Sequence, residues 1–283
     1  MNLRQRLLAL EFPEIRQSFS GRDTILYALG VGLGCDPVDP DQLRYVYEEG
    51  LAALPSMAVT LAYPGYWYRD LDTGLDHMRT VHASETLVIH KPLPIRGTVV
   101  AKPRVIEVID KGRERGALVV SERDIRDVAD GSLLATVRQT AMCRGDGGFS
   151  EAPETSERAP SPPDRDADIA LTLPTTPQTA LIYRLSGDYN PLHAEPGFAR
   201  GAGFPRPILH GLATMGLVCH AAVRSAFGNA PERLRTMKCR FTAPVYPGDS
   251  IATQFWRIDG GWMFRANVGG TAVASGTVEG ESA

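Results

Sequence analysis

No apolar run in this chain approaches the ~20 residues that a membrane-spanning helix requires, so the sequence predicts no transmembrane segment. The opening MNLRQRLLALEFPEIRQ has neither a sustained apolar stretch nor a small-residue cleavage site, which argues against a secretory signal. The last four residues, Gly280-Glu281-Ser282-Ala283, carry no peroxisomal address of the SKL type. An excess of charge of one sign is also missing. The 30 Lys and Arg against 33 Asp and Glu leave a net charge of −3, with no electrostatic footprint for nucleic acid or a membrane surface. Cysteine is scarce: Cys35, Cys143, Cys219 and Cys239 show no C-x-x-C spacing. They read as free, small core residues in a reducing compartment, not as a disulfide frame or a zinc site. These absences make a cytoplasmic protein the expectation.

Several chemistry-bearing motifs are lacking as well. There is no G-x-S-x-G elbow for a hydrolase serine, and no H-E-x-x-H pair for a helix-borne metal. Gly30-Val31-Gly32-Leu33-Gly34 has the start of a dinucleotide loop, but the third glycine position is Cys35 and Asp36-Pro37 follows, so a connector is expected. Asp188, His193 and His210 supply a carboxylate and two imidazoles, but at intervals without a recognised metal-ligand spacing. No metal is expected there.

What the chain does contain is a dense polar segment at 183–216, YRLSGDYNPLHAEPGFARGAGFPRPILHGLATMG. Asp188, Asn190 and His193 fall within six residues. Asp, Asn and Pro disfavour a helix interior, which predicts a turn entering a short helix, with Asn190 as its cap and Pro191 as its first residue. In such a turn a carboxylate and an imidazole can point the same way. A Gly/Pro-broken loop then leads to a helix predicted over 211–227, where apolar residues recur at three to four spacing and Gly228-Asn229 stops the run. Ala213, Gly216, Ala221, Ala222 and Ala226 make this helix thin, as suits one enclosed at short range. Strands are predicted over 237–242, 250–258, 262–268 and 271–278, most bounded by glycine turns. One helix followed by a meander of strands implies an antiparallel sheet wrapped on a central helix, an α+β unit.

A Pro/Ser/charge-rich segment, 148–168, divides the chain into 1–147 and 169–283. The two parts look like relatives. SGRDTILYALGVG (20–32) aligns with TPQTALIYRLSGD (176–188), pairing Tyr27 with Tyr183 and Leu29 with Leu185. KPLPIRGT (91–98) resembles APVYPGD (243–249). The first half offers strands over 86–89, 98–108, 116–123 and 133–143, and a helix over 51–61 that Pro55 interrupts. Where the second half has Asp188 the first has Gly32, so the chemistry is expected in the second half alone.

The combination of YRLSGDYNPLH (183–193), AGF (202–204), PILHGL (207–212) and FTAPVYPGD (241–249) resembles the hydratase-2 motif of the MaoC-like, R-specific enoyl-CoA hydratases. The resemblance implies a double hot-dog fold, with two antiparallel sheets each wrapped on a central helix and joined edge to edge. It implies a degenerate N-terminal unit that forms the acyl-chain pocket and a catalytic C-terminal unit. The implied reaction is reversible syn hydration of trans-2-enoyl-CoA to (3R)-3-hydroxyacyl-CoA, with CoA thioesters as partners, no cofactor, and a homodimer. By the same resemblance Asp188 and His193 are the catalytic pair, Asn190 orients them, and the Gly211 backbone N–H lies in the oxyanion hole. Lys238, Arg240 and Arg265 are available for the CoA phosphates. The first half departs from the family in carrying His82-Ala83-Ser84-Glu85 where relatives have a Gly-Glu-Gln-like segment at the acyl tunnel. The alternatives are a hot-dog acyl-CoA thioesterase and a non-catalytic acyl-thioester-binding subunit of a dehydratase.

Overall fold

A computed structural model describes residues 2–156 and 161–281. Part of the 148–168 segment, residues 157–160, and the tail residues 282–283 lie outside the described residues. The first half forms β1 (Ile15–Phe19), β2 (Thr80–Ile89), β3 (Gly97–Ala101), β4 (Arg104–Asp110), β5 (Ala117–Asp127) and β6 (Leu133–Cys143). The second half forms β7 (Ile169–Pro174), β8 (Leu234–Phe241), β9 (Ser250–Ile258), β10 (Gly261–Val268) and β11 (Thr271–Gly280). All join one 11-stranded sheet in the order β1-β3-β5-β6-β2-β8-β11-β10-β9-β7, with β4 on β5 beside that path.

The seam is the antiparallel pairing of β2 with β8, in register from Ser84 opposite Arg240 to Val88 opposite Thr236. Outward from it the halves repeat each other: β2, β6, β5, β3, β1 on one side and β8, β11, β10, β9, β7 on the other. The matched loops 91–98 and 243–249 each follow the seam strand of their half. Strand prediction was close where polar and apolar residues alternate cleanly, as in β6 and β9. The predicted strand 98–108 is two strands in fact, broken at Lys102-Pro103, because proline supplies no N–H to the ladder.

The helix Gly211–Ser225 runs through the centre, with every residue from Leu212 to Val223 buried. A helix apolar all round belongs inside a core. At Gly216 a Cβ would lie 2.4 Å from Val31 Cγ1 and 3.0 Å from the Tyr27 hydroxyl, so only glycine lets the first half approach this closely. Among the described residues, the first half has no helix as long as this one. Its predicted 51–61 helix is a 3-10 turn, Pro55–Thr60, entered from an extended Leu54 as the residue before proline prefers. All six of its residues are buried, and it packs on the central helix. The main apolar core therefore runs unbroken through both halves. A smaller cluster around Leu7, Trp67 and Val108 packs with Val119 of β5 and Ala141 and Cys143 of β6.

The start of the Pro/Ser-rich segment is tied down. The buried carboxylate of Asp110 accepts the backbone N–H groups of Gly112 (2.8 Å), Gly148 (2.7 Å) and Ser150 (2.6 Å). Burial raises its pKa, but these bonds to the charged form outweigh that and hold it below the usual carboxylate range. Asp110→Ala is expected to lose about 1–3 kcal/mol at neutral pH, because it strands several partly buried N–H donors. The lowered pKa means this contribution is present above the unfolded value of ~3.9 and disappears as pH falls through the folded one. Thermal melts of both proteins from neutral to acid pH should therefore converge at the acid end. Of the cysteines, Cys143, Cys219 and Cys239 are buried and free as expected, whereas Cys35 is exposed, with its thiol on Gln42. No helix among the described residues is long and apolar enough to cross a membrane.

Candidate active site

The segment 183–211 folds around a few local devices. The short helix Thr179–Tyr183 tightens into a 3-10 turn, Arg184–Ser186, which Gly187 ends at φ +123°, a conformation that favours glycine. The chain then extends through Asp188. Asn190 caps the next 3-10 turn, Pro191–His193: its side-chain oxygen accepts the Leu192 N–H at 3.0 Å, with proline at the first helical position. The Asn190 backbone N–H donates to Asp188 Oδ1 at 3.2 Å. The cap that starts the turn thus also holds the carboxylate.

The turn brings His193 into the interior, 8% exposed. Its Nδ1 lies 2.9 Å from the Ile208 carbonyl oxygen. A carbonyl only accepts, so Nδ1 carries the proton and Nε2 presents a lone pair. Burial lowers the His193 pKa below its ordinary value, and the Asp188 charge and the Ile208 bond offset this in part. At neutral pH the ring is therefore an uncharged base. Leu209 N–H donates to Val245 O at 2.7 Å, which anchors the start of the central helix to the 243–249 loop that the sequence had singled out. His210 is the helix N-cap and Gly211 the first helical residue, whose N–H has no acceptor within the helix. Phe241 closes over Gly211: a Cβ there would touch the ring at 3.4 Å.

Asp188, His193 and His210 thus converge, with one potential ligand atom of each lying within 4.8 Å of the others. Each imidazole, however, has committed a nitrogen to a carbonyl. His210 Nε2 is 3.2 Å from Asp188 O and donates to it, so that atom is not a metal ligand. What the cluster can do is accept and return a proton beside a helix end that favours negative charge. Sequence reasoning placed Asp188, Asn190, His193 and Gly211 in one region, but considered His210 only as a metal ligand and, setting that aside, gave it no part in the chemistry. The signal available was its position, directly before Gly211. Lys238 and Arg240 lie exposed on β8, while the Arg265 guanidinium packs over Trp256 and reaches Gln254.

A cavity of about 220 Å³ is lined by Gly187 and Tyr189, the chain neighbours of Asp188, but not by Asp188, His193 or Gly211 themselves. Its walls come from both halves: Gln17, Met57 and Leu61 from the first, Leu185, Gly187 and Tyr189 from the second.

This architecture is the double hot dog. A protein of Mycobacterium tuberculosis described as having a double hotdog fold superposes with a TM-score of 0.56 at 15% identity, covering 96% of both chains. A MaoC-like dehydratase from Phytophthora capsici matches over 99% of both chains, with a TM-score of 0.85 and 28% identity. Residues 17–145 match the MFE-2 hydratase 2 N-terminal domain and residues 158–277 the MaoC like domain. A peroxisomal enoyl-CoA hydratase 2 of Arabidopsis thaliana is 35% identical over 88% of this chain and 85% of its own length. The 3-hydroxyacyl-thioester dehydratase Y of Mycobacterium tuberculosis is 37% identical over 92% and 90%. The chain belongs to the MaoC-like, hydratase 2 family of hydro-lyases.

Proposed function

We propose that this chain catalyses the reversible syn hydration of trans-2-enoyl-CoA to (3R)-3-hydroxyacyl-CoA. The observation that carries the reading is the fixed pair of Asp188 and His193, with the imidazole's Nδ1–H tied to Ile208 so that its free Nε2 serves as base. Relatives named enoyl-CoA hydratase and 3-hydroxyacyl-thioester dehydratase support it.

A water held between Asp188 and His193 gives its oxygen to Cβ as one of its protons passes to the pair. The C=C electrons move toward the thioester, and the enolate-like oxygen is held by the Gly211 N–H at the positive end of the central helix. The pair then returns a proton to Cα on the same face, which makes the addition syn. The reverse sequence dehydrates the alcohol. Asn190 keeps the carboxylate in place throughout, and the cavity beside Gly187 takes the first part of the acyl chain. On this reading the protein needs no metal or other cofactor, and works in the cytoplasm as a homodimer.

The test is to incubate the purified protein with crotonyl-CoA and longer trans-2-enoyl-CoA substrates, with and without a chelator. The expected product is the (3R) alcohol, formed equally in both conditions, with no thiol detected by a thiol-reactive dye. Because burial lowers the His193 pKa, kcat/KM should hold to below the ordinary histidine value of ~6.5 and fall only at lower pH. An S product, or release of free CoA, would remove the assignment.

A further inference from the structure

His210 has no step of its own in this reaction, yet it is 1% exposed at the centre of the site. It occupies a helix N-cap, where Ser, Thr, Asn or Asp would serve, and its side chain makes no cap hydrogen bond. Its Nδ1 is buried without a partner. A short polar residue would satisfy this helix end better, so helix stability alone does not account for an imidazole here.

Its contacts do. The His210 ring stacks on the His193 ring, with centroids 3.7 Å apart and planes 27° from parallel. Its Nε2–H donates to the backbone carbonyl of Asp188 at 3.2 Å. The Tyr183 ring covers it at 4.9 Å. Its own backbone leads directly into Gly211. One side chain therefore touches both members of the acid–base pair, and its main chain adjoins the oxyanion donor.

We infer that His210 is a positioning residue that locks Asp188, His193 and the Gly211 N–H into one rigid unit. The inference rests on the reading that Asp188 and His193 are the catalytic pair. The groups facing His210 are His193, the Asp188 carbonyl, Tyr183 and the guanidinium of Arg184. Burial first, then His193 and Arg184, hold its pKa well below the usual histidine range. It remains neutral while the pair handles the proton, and a second cation against His193 is avoided. Its ring also shields one face of His193 from water.

Two substitutions separate its two contacts. His210→Phe keeps the stacked ring and removes the N–H; His210→Gln keeps an N–H donor and removes the ring. Each should lower kcat by about 10–100-fold with KM within about threefold, the size expected when reacting groups are misplaced by about an ångström. In His210→Gln the His193 titration, followed by NMR, should move up toward ~6.5 as water reaches the ring, and the acid limb of kcat/KM should move with it. In His210→Phe it should stay near the wild-type position. Wild-type kcat in both variants would overturn the inference. So would an unmoved His193 titration in His210→Gln, or loss of fold in both variants, which would make His210 a stability residue. Because the NMR titration needs no turnover, it tests His210 even if the hydratase assay itself fails.

Discussion

Asp188→Asn is expected to lose about 100–10,000-fold in kcat, the range for removing a positioned general acid–base group. The change is nearly isosteric. The amide oxygen can still accept the Asn190 N–H that now bonds Asp188 Oδ1, so the loop and the fold should persist. KM should change little, since on the proposed mechanism the carboxylate acts on water and not on the CoA moiety. His193→Ala should fall by a similar factor, and the double variant by little more, because groups that share one proton act as a unit. Initial rates of enoyl-thioester absorbance loss, beside a circular-dichroism melt, check all three variants. A folded Asp188→Asn protein with near wild-type kcat would end the assignment of the pair.

The largest expected effect on stability lies in the first half. Arg123 on β5 is 4% exposed, and its guanidinium donates to the carbonyls of Val59 (2.5 Å) and Leu61 (3.3 Å) at the end of the 3-10 turn. Burial lowers its pKa; the carboxylate of Glu85, itself 1% exposed, works against that. The next residue, Ala62, sits at φ +46°, with its N–H on Gln17 Oε1 at 2.6 Å. Arg123 and Gln17 thus clamp a strained segment, and both Gln17 and Leu61 line the cavity that Gly187 and Tyr189 also border. Arg123→Met keeps most of the volume but leaves two carbonyls, of Val59 and Leu61, without their charged donor. A loss of about 2–5 kcal/mol is expected, from two buried carbonyls at about 1–3 kcal/mol each, which for a chain of this size lowers the melting temperature by roughly 10 °C. A single variant melting within about 2 °C of wild type would show that the clamp carries no weight.

Much of the second half was legible because its signals are local. Glycine turns bound the β-strands, apolar spacing marks the central helix, and the Asn190-Pro191 pair announces a capped turn. The first half was harder to read. Pro55 showed that a long helix was in trouble, but not that a six-residue 3-10 turn would replace it and leave the cavity wall to Met57 and Leu61. The strand expected over 98–108 ignores Pro103, at which the chain divides into β3 and β4.

By itself, then, the sequence determined the repeated α+β plan, the antiparallel strands, and the loop that carries Asp188, Asn190 and His193, because each depends on residues close together in the chain. The tertiary structure alone decided the His193 tautomer, the stack of His210 on it, the clamp of Arg123 on the 59–61 carbonyls, and the cavity shared by the halves. Their partners stand fifteen residues apart for His193 and Ile208, twenty-two for His210 and Asp188, and sixty-four for Arg123 and Val59. No periodicity reports contacts at such separations. Of these features, the cavity alone depends on the β2–β8 seam that brings the two halves around one helix.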